Sequence, residues 1–253
     1  MRKFTQSLAL AALLLSTSAY AQNGAPAVTV SAKAAKVPWL YEGSDVPVDD
    51  TWTFGVLPNG LRYAVKKNDV PAGQVSIRVR IDAGALHENN DEQGFAHLIE
   101  HLSFRGSTFV PDGEAKRIWQ RFGVTFGSDS TAQTTPTQTV YKLDLPNATP
   151  EKLDESVKII SGMIRNPRIS PSALNAERAI VLAELRENSG AQMVYSDALR
   201  QHAFQGQRLA NRSTIGTPET LQASDALRLS AFHDRWYRPE NAVVVMAGDM
   251  EPA

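Results

Sequence analysis

The sequence predicts an α+β fold: a single mixed, mostly antiparallel sheet with helices packed on it. Three observations carry this. Strand-like segments and a tight turn occupy residues 52–82, helical periodicity takes over from about residue 94, and a run of β-branched residues returns at residue 242. Strands, then helices, then one strand rejoining the sheet make a helix-covered sheet rather than a series of βα units.

The elements follow in order. Phe54-Gly55-Val56-Leu57 and Leu61-Arg62-Tyr63-Ala64-Val65 flank Pro58-Asn59-Gly60, and Asn-Gly supplies the backbone angles of a hairpin turn. Val75, Ile77, Val79 and Ile81 alternate with polar residues, as a half-buried strand does. Helices are expected over Gly94–Phe104, with Gly106 as a stop, and over Asp112–Phe122, opened by an acidic cap. Residues 126–145 suggest two strands and a turn. Pro150–Ile164 and Pro171–Asn188 read as helices with proline in the first turn, and further helical pattern covers Ser196–Phe204 and Pro218–Trp236. Ala242-Val243-Val244-Val245-Met246-Ala247 then forms a terminal strand, apolar enough for burial on both faces.

The first residues stand apart. Arg2 and Lys3 precede the apolar run Leu8–Leu15 and an exit ending Ala19-Tyr20-Ala21. That order is a secretory leader, cleaved after Ala21. The run is too short to span a bilayer, and no later stretch is apolar enough to do so. Residues 1–21 are therefore a signal peptide, and 22–50, without periodicity, an N-terminal extension that orders near Trp39-Leu40-Tyr41. Residues 51–253 make the folded domain.

Composition narrows the chemistry. Hydrophobic residues make up 42% of the chain, charged ones 21%, and the net charge is −1. A chain without a basic cluster offers nucleic acid no electrostatic footprint. Cysteine is absent, which removes thiol nucleophiles and thiolate metal sites. Any metal must be held by His, Asp or Glu.

Gly94-Phe95-Ala96-His97-Leu98-Ile99-Glu100-His101-Leu102 carries the chemistry. On a helix His97 and His101 lie one turn apart on one face, and Glu100 shares it. Two neutral imidazoles suit Zn²⁺, which in a catalytic site takes a third protein ligand and keeps one position open. The H-x-x-E-H order is a metallopeptidase signature. Two of the five histidines fall on this one turn, which a purely structural helix rarely shows. A third ligand is best sought in Glu177-Arg178-Ala179-Ile180-Val181-Leu182-Ala183-Glu184, where Ile180, Val181, Leu182 and Leu185 give a buried side. Glu177 and Glu184 are two turns apart on about the same face. One could bind metal while the other supports it.

These two segments together resemble the pitrilysin-type (M16, inverzincin) metallopeptidases. Phe54-Gly55-Val56-Leu57-Pro58-Asn59-Gly60-Leu61-Arg62, Thr139-Val140-Tyr141 and Trp236-Tyr237-Arg238-Pro239-Glu240-Asn241-Ala242 are similar to that family too. The resemblance spans about residues 50 to 250. It implies a pitrilysin/processing-peptidase-like catalytic domain with Zn²⁺ as cofactor, like bacterial periplasmic relatives. By position it assigns His97, His101 and Glu184 as ligands, Glu100 as catalytic base and Glu177 as a supporting residue. Should Glu184 fail, Glu177 is its replacement. The separation of His101 from Glu184 is longer than is usual in the family, which implies a loop insertion. Where the family has Asn-Ala at the edge strand that receives substrate, this sequence has Thr131-Ala132. Backbone pairing with a peptide survives that change.

The resemblance implies a zinc-dependent endopeptidase acting on peptides or unfolded proteins, exported to the periplasm. In this family a second, similar domain or subunit completes the chamber, and the sequence contains only the first. The alternative is a non-catalytic peptide-binding or structural module. The remaining histidines, His87, His202 and His233, and the tryptophans Trp52, Trp119 and Trp236 read as packing or surface residues.

Overall fold

The computed structural model describes Trp39 and residues 41–251. The expected leader and residues 22–38 of the extension lie outside that range. β1 (Thr53–Val56) and β2 (Arg62–Lys67) form the expected antiparallel hairpin. Gly60 in its turn sits at φ +90°, in the left-handed region that glycine enters without steric cost. Trp39 and Tyr41 pack on Phe54 with ring centroids 5.1 and 5.0 Å away, so the end of the extension lies against β1. In β3 (Val75–Ile81), Val75, Ile77, Val79 and Ile81 enter the core and the alternate residues face away.

The remaining elements are α1 (Phe95–Ser103), α2 (Glu114–Arg121), β4 (Ser130–Thr134), β5 (Thr139–Leu145), α3 (Pro150–Arg165) and α4 (Pro171–Glu187). After them come α5 (Ala191–Ala203), α6 (Pro218–Gln222), α7 (Ala226–Trp236) and β6 (Ala242–Gly248). The sheet order is β1-β2-β6-β3-β5-β4. Only the β2–β6 pair is parallel among these strands, so the sheet is mixed and mostly antiparallel, as expected. The last strand closes the sheet's centre, between β2 and β3, and β4 is left at an edge. The buried side chains of β3 and β5 meet those of α1, α2, α3, α4 and α7 in one core.

Local chemistry fixes the helix starts. Thr149 and Ser170 cap α3 and α4 by accepting the N–H of Lys152 and Ala173, each with proline following. Four expectations need correction. Gly113 at φ +75°, with no side-chain cap bond, opens α2 in place of an acidic cap. The Pro218–Trp236 pattern breaks into two helices, because Asp225 accepts the N–H of Arg228 at 2.9 Å and starts α7 afresh. β6 is central yet only half-buried at Val244–Ala247. Ile180 is 51% exposed: the buried stripe of α4 runs through Leu174, Glu177 and Val181, and Ile180 lies about 100° round the helix from Val181.

Candidate metal centre

α1 is the most deeply embedded element near the site: Phe95, Ala96, Leu98, Ile99 and Leu102 are all fully buried. With those side chains fixed in the core, the opposite face of the helix presents His97, Glu100 and His101 to a cleft of about 490 Å³. The two imidazoles stand nearly perpendicular with ring centroids 4.7 Å apart. α4 crosses α1 and brings Glu184 to the same point. Glu184 Oε2 is 3.8 Å from His97 Nε2 and 3.7 Å from His101 Nε2. One donor atom from each of the three residues lies within 4.8 Å of the other two.

These residues fit a zinc ion. Donors at about 2.0–2.1 Å in a tetrahedral shell stand about 3.3–3.5 Å apart, so the two separations from Glu184 to the imidazoles need only a small contraction. The donor set, two imidazole nitrogens and one carboxylate oxygen, is also one that zinc accepts.

Glu177, two turns earlier on α4, is buried and serves a different purpose. Its Oε2 lies 3.1 Å from His101 Nδ1, and its Oε1 lies 3.2 Å from Arg105 Nε. A carboxylate can only accept, so it holds the ring proton on Nδ1 and leaves the His101 Nε2 lone pair facing Glu184. Burial, with the neighbouring His101, depresses the His97 pKa to about 4, which keeps that imidazole neutral and able to donate its lone pair. Burial also works against a charged His101, but the bond and charge of Glu177, helped by Glu100 and Glu184, outweigh it and the net shift is upward.

Glu100 is buried beside the two histidines. Desolvation pushes its carboxyl upward, against a hydrogen bond from Thr134. That hydroxyl donates to Oε2 at 2.5 Å. Thr134 is a site residue that the sequence alone did not single out. Its signal was faint: it stands two residues after Ala132 on a strand, hence on the same face. Ala132, Gln133 and Thr134 line the cleft, with Met193 and Arg200 of α5 and the segment Arg212–Ile215 on other sides. Thr131 is in β4 as expected but not among the cleft-lining residues.

Of the other histidines, His202 is exposed on α5, and the remaining two are packed. His87 packs edge-on against Trp236, and His233 is buried with Nε2 2.7 Å from the Ile164 carbonyl oxygen. Trp119 is buried in the core. Among the described residues no helix is long and apolar enough to cross a membrane. An apolar cavity of about 260 Å³ between β3, β6 and α3 holds no cluster of metal-binding side chains.

Comparison with known proteins identifies the family. Residues 63–217 match the model of the insulinase family, peptidase family M16. A probable zinc protease PqqL of Haemophilus influenzae is 32% identical over 212 residues, covering 84% of this chain and 23% of the relative. Its Escherichia coli namesake is 30% identical, covering 81% of this chain and 22% of the relative. The crystal structure of the periplasmic protease PqqL from Escherichia coli superposes with a TM-score of 0.77 at 30% identity, over 81% of this chain and 23% of that one. The fold also recurs in an M16 domain described as inactive, from Pseudomonas fluorescens, with a TM-score of 0.70 at 17% identity over 79% of this chain and 47% of that one. The chain thus spans under a quarter of the length of the zinc-protease relatives it matches. It belongs to the insulinase family of peptidases, family M16.

Proposed function

We propose that this chain forms the metal-binding part of a zinc-dependent endopeptidase, with His97, His101 and Glu184 as ligands and Glu100 as general base. The observation that carries the reading is the convergence of three donor atoms from two helices within 4.8 Å, beside a buried carboxyl that no ligand role requires.

When bound there, zinc supplies Lewis acidity that polarises a carbonyl and makes water a better nucleophile. Glu100 takes a proton from the attacking water and delivers it to the leaving amine. Its raised pKa suits both halves of that task. Thr134 orients the carboxyl, and Glu177 orients His101. β4 is an edge strand, so an extended peptide adds to the sheet along Thr131 and Ala132 by backbone pairing. Such binding favours flexible or unfolded substrates over a fixed sequence.

The reading extends to the whole protein. A second M16-like domain or subunit closes the chamber, residues 1–21 direct export, and the mature enzyme works in the periplasm with 51–253 as its zinc-binding domain. Relatives about four times as long support the first of these, and the periplasmic PqqL structure supports the last.

The test is metal analysis of the purified chain, freed of its leader, beside hydrolysis of a quenched fluorescent peptide with and without chelator. Zinc with chelator-sensitive hydrolysis is expected once the chamber is complete. Zinc without hydrolysis in this chain alone supports the need for a second domain. Absence of both favours the non-catalytic peptide-binding module, a reading motivated by the recurrence of this fold in a domain described as inactive.

A further inference from the structure

Glu88 is fully buried between β3 and α1, and the chemistry above makes no use of it. Its two carboxyl oxygens both engage the start of the metal helix. Oε2 accepts the N–H of Gly94 at 3.0 Å, and Oε1 accepts the N–H of Ala96 at 2.9 Å. Gly94, the residue opening α1, has no side chain to cap it. Glu88 therefore does, from six residues upstream, what a capping side chain does in other helices, and it brings an acidic group to the positive end of the helix.

The main-chain carbonyl of the same residue faces elsewhere. It accepts from Arg208 Nη2 and, at 3.4 Å, from Arg212 Nη2. Arg212 is only 4% exposed and also donates to Asn90 Oδ1 at 2.6 Å. The chain from Arg212 to Ile215 is one wall of the cleft. Two glycines let that wall close on the helix start. A Cβ at Gly94 would lie 2.8 Å from the Ile215 carbonyl oxygen, and one at Gly216 would lie 2.5 Å from that of Gln93.

We propose that Glu88 is a positioning residue for the metal centre, its carboxyl setting where α1 begins and its carbonyl anchoring the opposite wall of the cleft. Ala96 directly precedes His97, so the bond to its N–H sets the height at which His97 and His101 face Glu184. Without Glu88 the N–H groups of Gly94 and Ala96 are left unpaired in the interior, and the first turn must shift or fray to find new acceptors. Burial outweighs the pull of the two N–H groups and Arg212, and this carboxyl ends raised to about 8. One N–H donor on each oxygen is the arrangement that the ionised form satisfies.

Chelator competition on the purified chain tests this, with zinc affinity as the readout and circular dichroism and metal-free melting as fold controls. Glu88→Gln, which keeps one good acceptor, is expected to weaken zinc binding about tenfold, and Glu88→Ala more than that. A folded Glu88→Gln protein with wild-type zinc affinity overturns the inference. So does a lower metal-free melting temperature with zinc affinity retained, which is the signature of a purely structural residue. Should neither variant fold, Arg208→Gln, at an exposed residue, releases one bond to the Glu88 carbonyl. It is expected to weaken zinc about threefold, and unchanged affinity there overturns the inference too. The inference rests on the zinc-site reading above: a wild-type chain that binds no zinc sinks that reading, whereas equal binding by wild type and variants sinks only this one.

Discussion

Nδ1 of His101 lies 3.1 Å from the buried Oε2 of Glu177, which itself is paired through Oε1 with Arg105. The contact makes one histidine of the pair a fixed tautomer aimed at Glu184, and it divides the work of the two α4 carboxylates. Glu177→Gln keeps a hydrogen-bonding group but loses the charge. It is expected to weaken zinc binding about 10- to 100-fold, measured by chelator competition. Wild-type affinity in that variant would show that Glu177 does not support the site.

Glu184→Gln removes the third ligand's charge and is expected to lower zinc content sharply, while Glu100→Gln retains zinc and abolishes hydrolysis. Metal analysis paired with peptide cleavage separates the two. Zinc lost from Glu100→Gln would make Glu100 a ligand, and full zinc in Glu184→Gln would remove Glu184 from the coordination shell.

Thr134 gives a pH test. Burial raises the Glu100 carboxyl, and the Thr134 hydroxyl opposes that shift by bonding to the ionised form. A base works only when unprotonated, so activity falls as pH drops through its pKa. Thr134→Val deletes the stabilising bond, and the pKa climbs further. The acid limb of the kcat/KM profile should therefore move to higher pH. A limb that stays in place or moves down contradicts the assignment.

His97 links the metal-free protein's stability to pH. Its pKa falls from 6.5 in the free side chain to about 4 in the folded protein, so the unfolded chain takes up the proton first. The contribution is present above pH 6.5 and is lost as pH falls towards 4, to a total of about 3 kcal/mol. His101 is shifted upward and acts with the opposite sign: its contribution is present below pH 6.5 and fades as pH rises through its folded pKa. Urea unfolding of the metal-free protein between pH 7 and 4 should lose stability less steeply in His97→Phe than in wild type. Equal slopes would mean that His97 is not buried neutral.

Gly216 holds the cleft wall against α1 at φ +82°, and a Cβ there would meet the Gln93 carbonyl oxygen at 2.5 Å. Gly216→Ala combines an unfavourable backbone conformation with a collision against main chain. It should cost more than about 2 kcal/mol in urea unfolding. A loss under about 0.5 kcal/mol, within the range of ordinary surface substitutions, would show that the wall yields freely.

Much of this was legible in the residues because it rests on periodicity or fixed spacing. The alternation of Val75 to Ile81 and the i, i+3, i+4 set of His97, Glu100 and His101 each describe one element, and one element's pattern is local. The seven-residue step from Glu177 to Glu184 likewise puts two carboxylates on one side of α4, and the structure gives them different neighbours, His101 Nδ1 for Glu177 and the two Nε2 atoms for Glu184. What escaped is tertiary. Thr134 reaches Glu100 only because β4 lies beside α1, and Glu88 caps a helix from a loop whose spacing matches no capping pattern. Ile180 looked like core because its type is apolar, but the stripe that α4 buries is set by its crossing with α1. The break at Asp225 was local chemistry, a capping side chain inside a pattern that periodicity alone reads as continuous.

The central claim is that His97, His101 and Glu184 share one zinc ion, and anomalous diffraction at the zinc edge from crystals of the zinc-loaded chain tests it most directly. The account predicts a single strong peak in the cleft, about 2.0–2.2 Å from both Nε2 atoms and from a Glu184 oxygen. A zinc peak bound by other side chains, or one in the cleft with Glu184 out of bonding reach, would contradict it.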